Sequence, residues 1–172
     1  MKQKIKNLGI ILLSCFMLVS CSKVNVKKLE KVSMSKVIDG DTILVSIDGK
    51  NEAVRMLLVD APEIRGDYPL SNEAKDFVKE RLKDDEYVYL DRDNQERDNA
   101  GRILAYVYHY DNRKLKMLND EVISNGFGIV SNTYENPKYL KELIKSQELS
   151  KSSGKNIWGI EGYVNENGYK KP

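Results

Sequence analysis

Five residues in this sequence could do chemistry as a set: Asp41, Arg55, Asp60, Glu63 and Arg102. Singly, each has an ordinary explanation. Asp39-Gly40-Asp41 is a common turn, Asp60 could be a turn acid closing an apolar strand, and Arg55 could be a salt bridge at a sheet rim. Jointly they read differently. Asp41 opens one expected strand and Asp60 closes the next, so both acids fall at one end of a hairpin. Two carboxylates that converge there repel one another, which calls for a hard cation with oxygen ligands. Arg55, on the same strand as Asp60, and Arg102, opening a later strand, have the planar forks that grip phosphate oxygens. Glu63 follows Pro62 and has no helix to serve, which leaves a free carboxylate. A metal, two arginines and one uncommitted carboxylate describe phosphodiester hydrolysis.

The elements that must position these residues follow from periodicity. Residues 32–38 and 41–48 alternate apolar and polar, with Ile43, Val45 and Ile47 on one face. Asp48-Gly49 is a two-residue hairpin turn, and residues 52–59 return as a third strand ending in Leu57-Leu58-Val59. Ser71 caps a helix carrying Ala74, Phe77, Val78 and Leu82 on one face. Tyr87–Leu90 and Ile103–Tyr108 are two more strands joined by a polar loop. A short helix over Leu118–Ser124 stops at Gly126. A last helix starts at Asn136-Pro137 and runs through Tyr139, Leu140, Leu143 and Ile144 towards Gly154. This order predicts a mainly β, α+β fold: a five-stranded barrel of the OB type packed with about three α-helices.

Composition removes several alternatives. The 172 residues carry 28 Lys+Arg, 26 Asp+Glu, one histidine and two cysteines. That inventory excludes a zinc site of the usual His/Cys kind and a disulfide framework. No Gly-rich phosphate loop is present. A Ser-His-Asp triad would rest on His109 alone, and nothing beside it in the sequence supports one. His109, at a strand end, is expected at the surface.

Residues 1–20 read as an address. Lys2, Lys4 and Lys6 precede an apolar stretch from Leu8 to Val19, too short to span a bilayer. Leu18-Val19-Ser20-Cys21 resembles a bacterial lipobox, in which the cysteine is acylated and the chain is cut before it. The expectation is a lipoprotein signal peptide over 1–20, a lipidated Cys21 with a tether over 21–31, a domain over 32–160 and a C-terminal tail over 161–172. An ordinary secreted protein cut near the same place is the plainer alternative. Loss of residues 1–20 removes three lysines and no acid, leaving 25 basic against 26 acidic groups. Bulk charge therefore gives no argument for a polyanionic partner, and any basic surface must be local. The expected location is the outer face of the cell membrane, or the medium after release. No protein partner is implied, and a monomer is assumed.

Four pieces carry a family resemblance: Val37-Ile38-Asp39-Gly40-Asp41-Thr42; Arg55 through Glu63; Gly101-Arg102-Ile103-Leu104-Ala105-Tyr106; and Asn156-Ile157-Trp158. In this order and over about residues 32–160, the chain resembles the staphylococcal nuclease (thermonuclease) family. The resemblance implies an OB-fold barrel with three helices and a calcium-dependent nuclease acting on DNA and RNA, leaving 3′-phosphate ends. It implies Asp41, Asp60 and the backbone carbonyl of Ala61 as Ca2+ ligands. Arg55 and Arg102 would stabilise the pentacoordinate transition state, and Glu63 would orient or deprotonate the attacking water. Met56, Leu104 and Tyr134 would form the substrate-binding residues.

The chain departs from the family pattern at several places. Position 61 is Ala where the family usually has Thr, which keeps a carbonyl and loses a hydroxyl. Asn99-Ala100 stand where Lys-Tyr is better known, and Asn132 replaces a stacking tyrosine, although Tyr134 matches a second one. The loop over Ile64–Leu70 is short and less basic. These changes bear on affinity and base preference, since the catalytic set is intact. Four of the ten tyrosines, Tyr87, Tyr89, Tyr106 and Tyr108, lie in expected strands, where packing explains them. Trp158 is expected to pack the last helix on the barrel, and the lysines of that helix to form a solvated face. The competing reading is a non-catalytic OB-fold lipoprotein that binds nucleic acid.

Overall fold

A computed structural model describes residues 26–131 and 134–171. The expected signal peptide, Cys21, residues 22–25 of the expected tether and Asn132 lie outside the described residues, while the rest of that tether forms a 3-10 turn (Val26–Lys28) and enters the first strand at Glu30.

Alternation in the first half of the chain produces three antiparallel strands. They are β1 (Glu30–Asp39), β2 (Thr42–Ile47) and β3 (Lys50–Met56). Asp48 and Gly49 both take positive φ, 50° and 76°, as the turn of a two-residue hairpin requires. Thr42 then faces Arg55 and Ile47 faces Lys50. The strand expected to run to Val59 ends instead at Met56. Leu58 adopts φ 61° and turns the chain out of the barrel wall. The carbonyls this frees are recovered locally: the Asn119 amide donates to Leu57 O at 2.8 Å, and the Ser131 N–H to Leu58 O at 3.2 Å. Val59–Asp60 becomes a separate strand, β4, paired antiparallel with β8 (Ile129–Val130).

Helix α1 (Ser71–Leu82) buries Ala74, Val78 and Leu82. Ser71 lies inside the helix rather than capping it; Leu70, with φ 63°, occupies the cap position and makes no side-chain bond. Strands β5 (Tyr87–Arg97) and β6 (Ile103–Asp111) follow. The polar stretch after Leu90, expected as loop, continues β5 as an extended arm with its outer end in solvent. Asn112 and Arg113, both at positive φ, turn β6 into β7 (Lys114–Met117). Next come α2 (Leu118–Ser124) and α3 (Leu140–Ser152). The Asn136-Pro137 start of α3 is not observed. Residues 138–139 are held on β5 first, with the Lys138 N–H donating to Asp93 at 2.9 Å and the Tyr139 hydroxyl to Asp91 at 2.8 Å. A short 3-10 turn (Asn156–Gly159) leads to a hairpin of β9 (Val164–Asn165) and β10 (Gly168–Tyr169), within the stretch read from the sequence as a tail.

The main sheet runs β3-β2-β1-β5-β6-β7, and β3 also pairs in parallel with β6. That last pairing closes β1, β2, β3, β6 and β5 into a five-stranded barrel with three α-helices, as expected. Closure gives the Val54–Met56 end of β3 a second partner, while β7 stays paired through β6 alone among the described residues. Ile103, Ala105 and Val107 of β6 point into the core with Ile43, Val45, Val54, Val88, α1 and α2. Its alternate residues Leu104, Tyr106 and Tyr108 pack against Leu143 of α3. Both faces of β6 are therefore covered, which is why its sequence is a continuous apolar run. His109, expected at the surface, is only 1% exposed. Its ring sits between Glu121 of α2, 2.6 Å from Nε2, and Asp85, 3.3 Å from Nδ1. Two acids distant in sequence make burial of this imidazole affordable.

Candidate active site

Barrel closure decides where the chemical residues meet. Asp41 lies just before β2, and its carbonyl accepts the Met56 N–H at 2.8 Å. Arg55 is opposite Thr42 on one side and Leu104 on the other. Asp60 closes β4, two residues beyond the Leu58 turn. That turn brings Asp60 back over Arg55. One guanidinium then serves both acids: Nη1 pairs with Asp41 Oδ2, and Nη2 donates to Asp60 Oδ1 at 3.0 Å. Nη1 is buried and forms no well-directed hydrogen bond, so its contact with Asp41 is an ion contact rather than a planar fork.

Asp41 is held on every side. Its Oδ1 accepts the Thr42 hydroxyl at 2.8 Å and its Oδ2 the Ala61 N–H at 3.0 Å. Gly40 makes this approach possible, because a Cβ there would lie 2.8 Å from the Cβ atoms of both Ala61 and Ala74. Ala61 itself is 2% exposed, and its peptide is part of the scaffold.

A cleft of about 170 Å³ is lined by Asp39, Asp41, Thr42, Arg55, Asp60, Glu63, Arg65 and Arg102. It therefore gathers all five residues singled out in the sequence, together with Asp39, Thr42 and Arg65, to which the sequence assigned no role. Four acids face three arginines there. Burial pushes the Asp60 carboxyl above the ordinary carboxylate range; Arg55 opposes the shift, and the charges of Asp41 and Glu63 add to it. Burial likewise raises Asp39, with Asp41 adding to the effect and the Gly40 N–H opposing it. Such a cleft is short of positive charge, and a hard cation would relieve it. Among the described residues no three acids form a metal site unaided. Carboxylates are hard oxygen donors that suit Ca2+ or Mg2+ better than zinc or copper, while Ala61, the third expected ligand, is not among the residues that line the cleft.

Arg102 is positioned by a loop the sequence gave no reason to notice. Asp98 accepts Arg102 Nε at 2.6 Å and the Arg102 and Ala100 N–H groups at 2.9 and 3.0 Å. Gly101, at φ 81°, closes that turn. With Nε fixed, the rest of the guanidinium is left for a ligand in the cleft. Glu63 is exposed, so its carboxylate is open to water at the rim.

The three residues expected to bind substrate do not join this cleft. Met56 and Leu104 are 1% and 0% exposed. Met56, next to Arg55, points into the barrel core, as alternation along a strand dictates, whereas Leu104 packs outside the barrel wall in the cluster with Leu143 of α3. Tyr134 lies in another recess, of about 290 Å³, with Asp93, Gln95 and Pro137. A roomier recess of about 730 Å³ between α3 and the C-terminal hairpin shares no residue with the cleft either. Trp158 lies at that recess, over which Lys151 of α3 reaches to 5.6 Å from the ring.

The chain is similar to known proteins over most of its length. The family described as "Staphylococcal nuclease homologue" matches residues 53–159, which takes in Arg55, Asp60, Glu63 and Arg102 and begins after Asp41. The chain is 35% identical over 150 residues to "Endonuclease YncB" of Bacillus subtilis (strain 168), covering 84% of this chain and 69% of that protein. It is 37% identical over 127 residues to the "Thermonuclease" of Staphylococcus hyicus, covering 72% of each. To the "Thermonuclease" of Staphylococcus intermedius it is 32% identical over 133 residues, covering 75% of this chain and 76% of that one.

Proposed function

The chain belongs to the staphylococcal nuclease family, and on that footing we propose that it is a calcium-dependent endonuclease, indifferent to the sugar, that hydrolyses DNA and RNA to 3′-phosphate ends. The observation that carries this reading is the single cleft in which Arg55 spans Asp41 and Asp60 while Glu63 and Arg102 line the same walls.

Each residue has a task that its surroundings suit. Asp41 and Asp60, with the Ala61 carbonyl, would hold Ca2+, which would supply positive charge against the charge that grows on a phosphoryl oxygen. Glu63, free at the rim, takes a proton from the water that attacks phosphorus in line. The P–O5′ bond breaks, the 5′ oxygen takes up a proton from solvent, and the phosphate stays on the 3′ side. Arg102, anchored by Asp98, and Arg55 bind the equatorial oxygens as charge grows on them. Calcium suits the site better than Mg2+, because few ligands are fixed and the remainder can be water and phosphate.

The rest of the reading concerns location. Cys21 is the lipidated residue, and residues 21–31 tether the domain to the outer face of the cell membrane, from which it can be shed. Two acyl signals suffice for stable anchoring without a spanning helix. Among the described residues no helix is long and apolar enough to cross a membrane. Nucleic acid is the substrate, the domain acts as a monomer, and Tyr134 offers a ring for a base beyond the cleft.

The test for the chemistry is the end group. Products of limited digestion should need phosphatase treatment before a 3′-end polymerase extends them, and 3′-hydroxyl products would contradict the proposed bond cleavage. For the anchor, fatty-acid labelling of the protein should vanish in Cys21→Ser. Labelling that persists would remove the lipobox reading.

A further inference from the structure

The C-terminal hairpin reaches the acids of the cleft through one hydroxyl. Tyr169 Oη donates to the backbone carbonyl of Asp60 at 2.6 Å. The N–H of that same peptide unit, on Ala61, donates to Asp41 Oδ2 at 3.0 Å. A continuous chain of hydrogen bonds therefore runs from Tyr169 through the Asp60–Ala61 peptide to the Asp41 carboxylate. The peptide has little room to shift otherwise, since a Cβ on Gly128 would lie 3.1 Å from Asp60 O.

The hairpin that carries Tyr169 is anchored independently of the cleft. The Tyr163 hydroxyl donates to Pro69 O at 2.7 Å, and Tyr163 is 3% exposed. The Tyr163 and Tyr169 rings lie 5.3 Å apart, and the Lys170 N–H closes the hairpin onto Tyr163 O at 2.8 Å. Donation to a peptide carbonyl polarises that peptide and strengthens the bond its N–H makes. A tyrosine placed this way both orients the Asp60–Ala61 peptide and sharpens its grip on Asp41.

We propose that Tyr169 is a positioning residue for the metal-binding acids, holding Asp41 and Asp60 in ligand geometry through the peptide between Asp60 and Ala61. The inference rests on the calcium reading above for its consequence, but the relay itself has a readout that needs no metal. Removal of an outer partner of a metal ligand commonly costs at least about tenfold in metal affinity.

The experiment compares wild type, Tyr169→Phe and Tyr163→Phe in the whole chain. Each variant keeps its ring and loses one hydroxyl of the same hairpin. In metal-free protein, the Ala61 amide proton should move upfield and exchange faster in Tyr169→Phe, while Tyr163→Phe leaves it in place. Calorimetric titration with CaCl2 should show binding weakened about tenfold in Tyr169→Phe and unchanged in Tyr163→Phe. An Ala61 amide that is the same in all three proteins would overturn the proposal, and so would equal loss of calcium affinity in both variants. Wild type that binds no calcium, with the Ala61 amide shifted only in Tyr169→Phe, would sink the calcium reading and leave the relay supported.

Discussion

The carboxylate of Asp41 accepts the backbone N–H of Ala61 at 3.0 Å, and this bond joins the start of β2 to the residue that follows β4. It fixes the distance between two segments that the hairpin alone would leave free, because the Leu58 turn intervenes. Arg55 reinforces the same join from the barrel wall by pairing with both acids. The acids are thus pre-set by backbone contacts, and a ligand need not gather them. Preorganisation of this kind would lower the cost of binding a cation or a phosphate in the cleft.

Gly40 should tolerate no side chain. In Gly40→Ala the new Cβ would meet the Cβ atoms of Ala61 and Ala74, each at 2.8 Å, and neither can swing away without moving backbone. The expected cost is roughly 1–3 kcal/mol in urea unfolding, with weaker cleavage because Ala61 is displaced from Asp41. Unchanged stability would mean that the two segments have slack.

Asp98 should give Arg102 a pH signature. Burial works to raise the Asp98 pKa but is outweighed by the Arg102 side chain and by the Arg102 and Ala100 N–H groups, so the carboxyl sits below its ordinary 3.8. An acid depressed in the folded state adds stability above its unfolded pKa and loses that contribution as pH falls through the folded one. Asp98→Asn should therefore cost roughly 1 kcal/mol near neutral pH, screening at half-exposed Arg102 included. The gap to wild type should narrow as the pH drops below 3.8. A gap independent of pH would show that the charge on Asp98 is not what holds the turn.

His109 should behave as a core group. His109→Ala would leave Asp85 and Glu121 facing a void, with burial already raising the Asp85 carboxyl. Leaving buried acceptors without their hydrogen-bond partner costs about 1–3 kcal/mol, which urea unfolding would read directly. Cleavage should survive at low temperature, since none of the three residues lines the cleft. A cost well under 1 kcal/mol would assign His109 a passive place in the packing.

The barrel was legible because its signals are local. Alternation in β2, the Asp48-Gly49 turn and the apolar run of β6 each predict their own element. Leu57-Leu58-Val59 was not, since a third apolar residue reads as continued strand, while the kink depends on Asn119 and Ser131 far along the chain. His109 was misplaced for the same reason, its burial being decided by Asp85 and Glu121. In the cleft, residue type and order foretold that Asp41, Arg55, Asp60, Glu63 and Arg102 converge. They did not foretell Asp98 or Tyr169, whose parts are set by tertiary contacts alone. Met56 could have been placed by alternation, because the residue next to Arg55 on its strand must face the other way; Leu104 could not, since its burial depends on Leu143 of α3.

The most direct measurement is cleavage of linear DNA, single-stranded DNA and RNA in millimolar CaCl2 and in excess EGTA, by wild type and Arg102→Ala. The expected result is cleavage of all three substrates with calcium only, reduced about 100-fold or more in Arg102→Ala with the fold retained. Cleavage that persists in EGTA would contradict the metal reading. Nucleic acid bound but uncut at every calcium level, by folded protein, would contradict the enzyme and leave a binding module in its place.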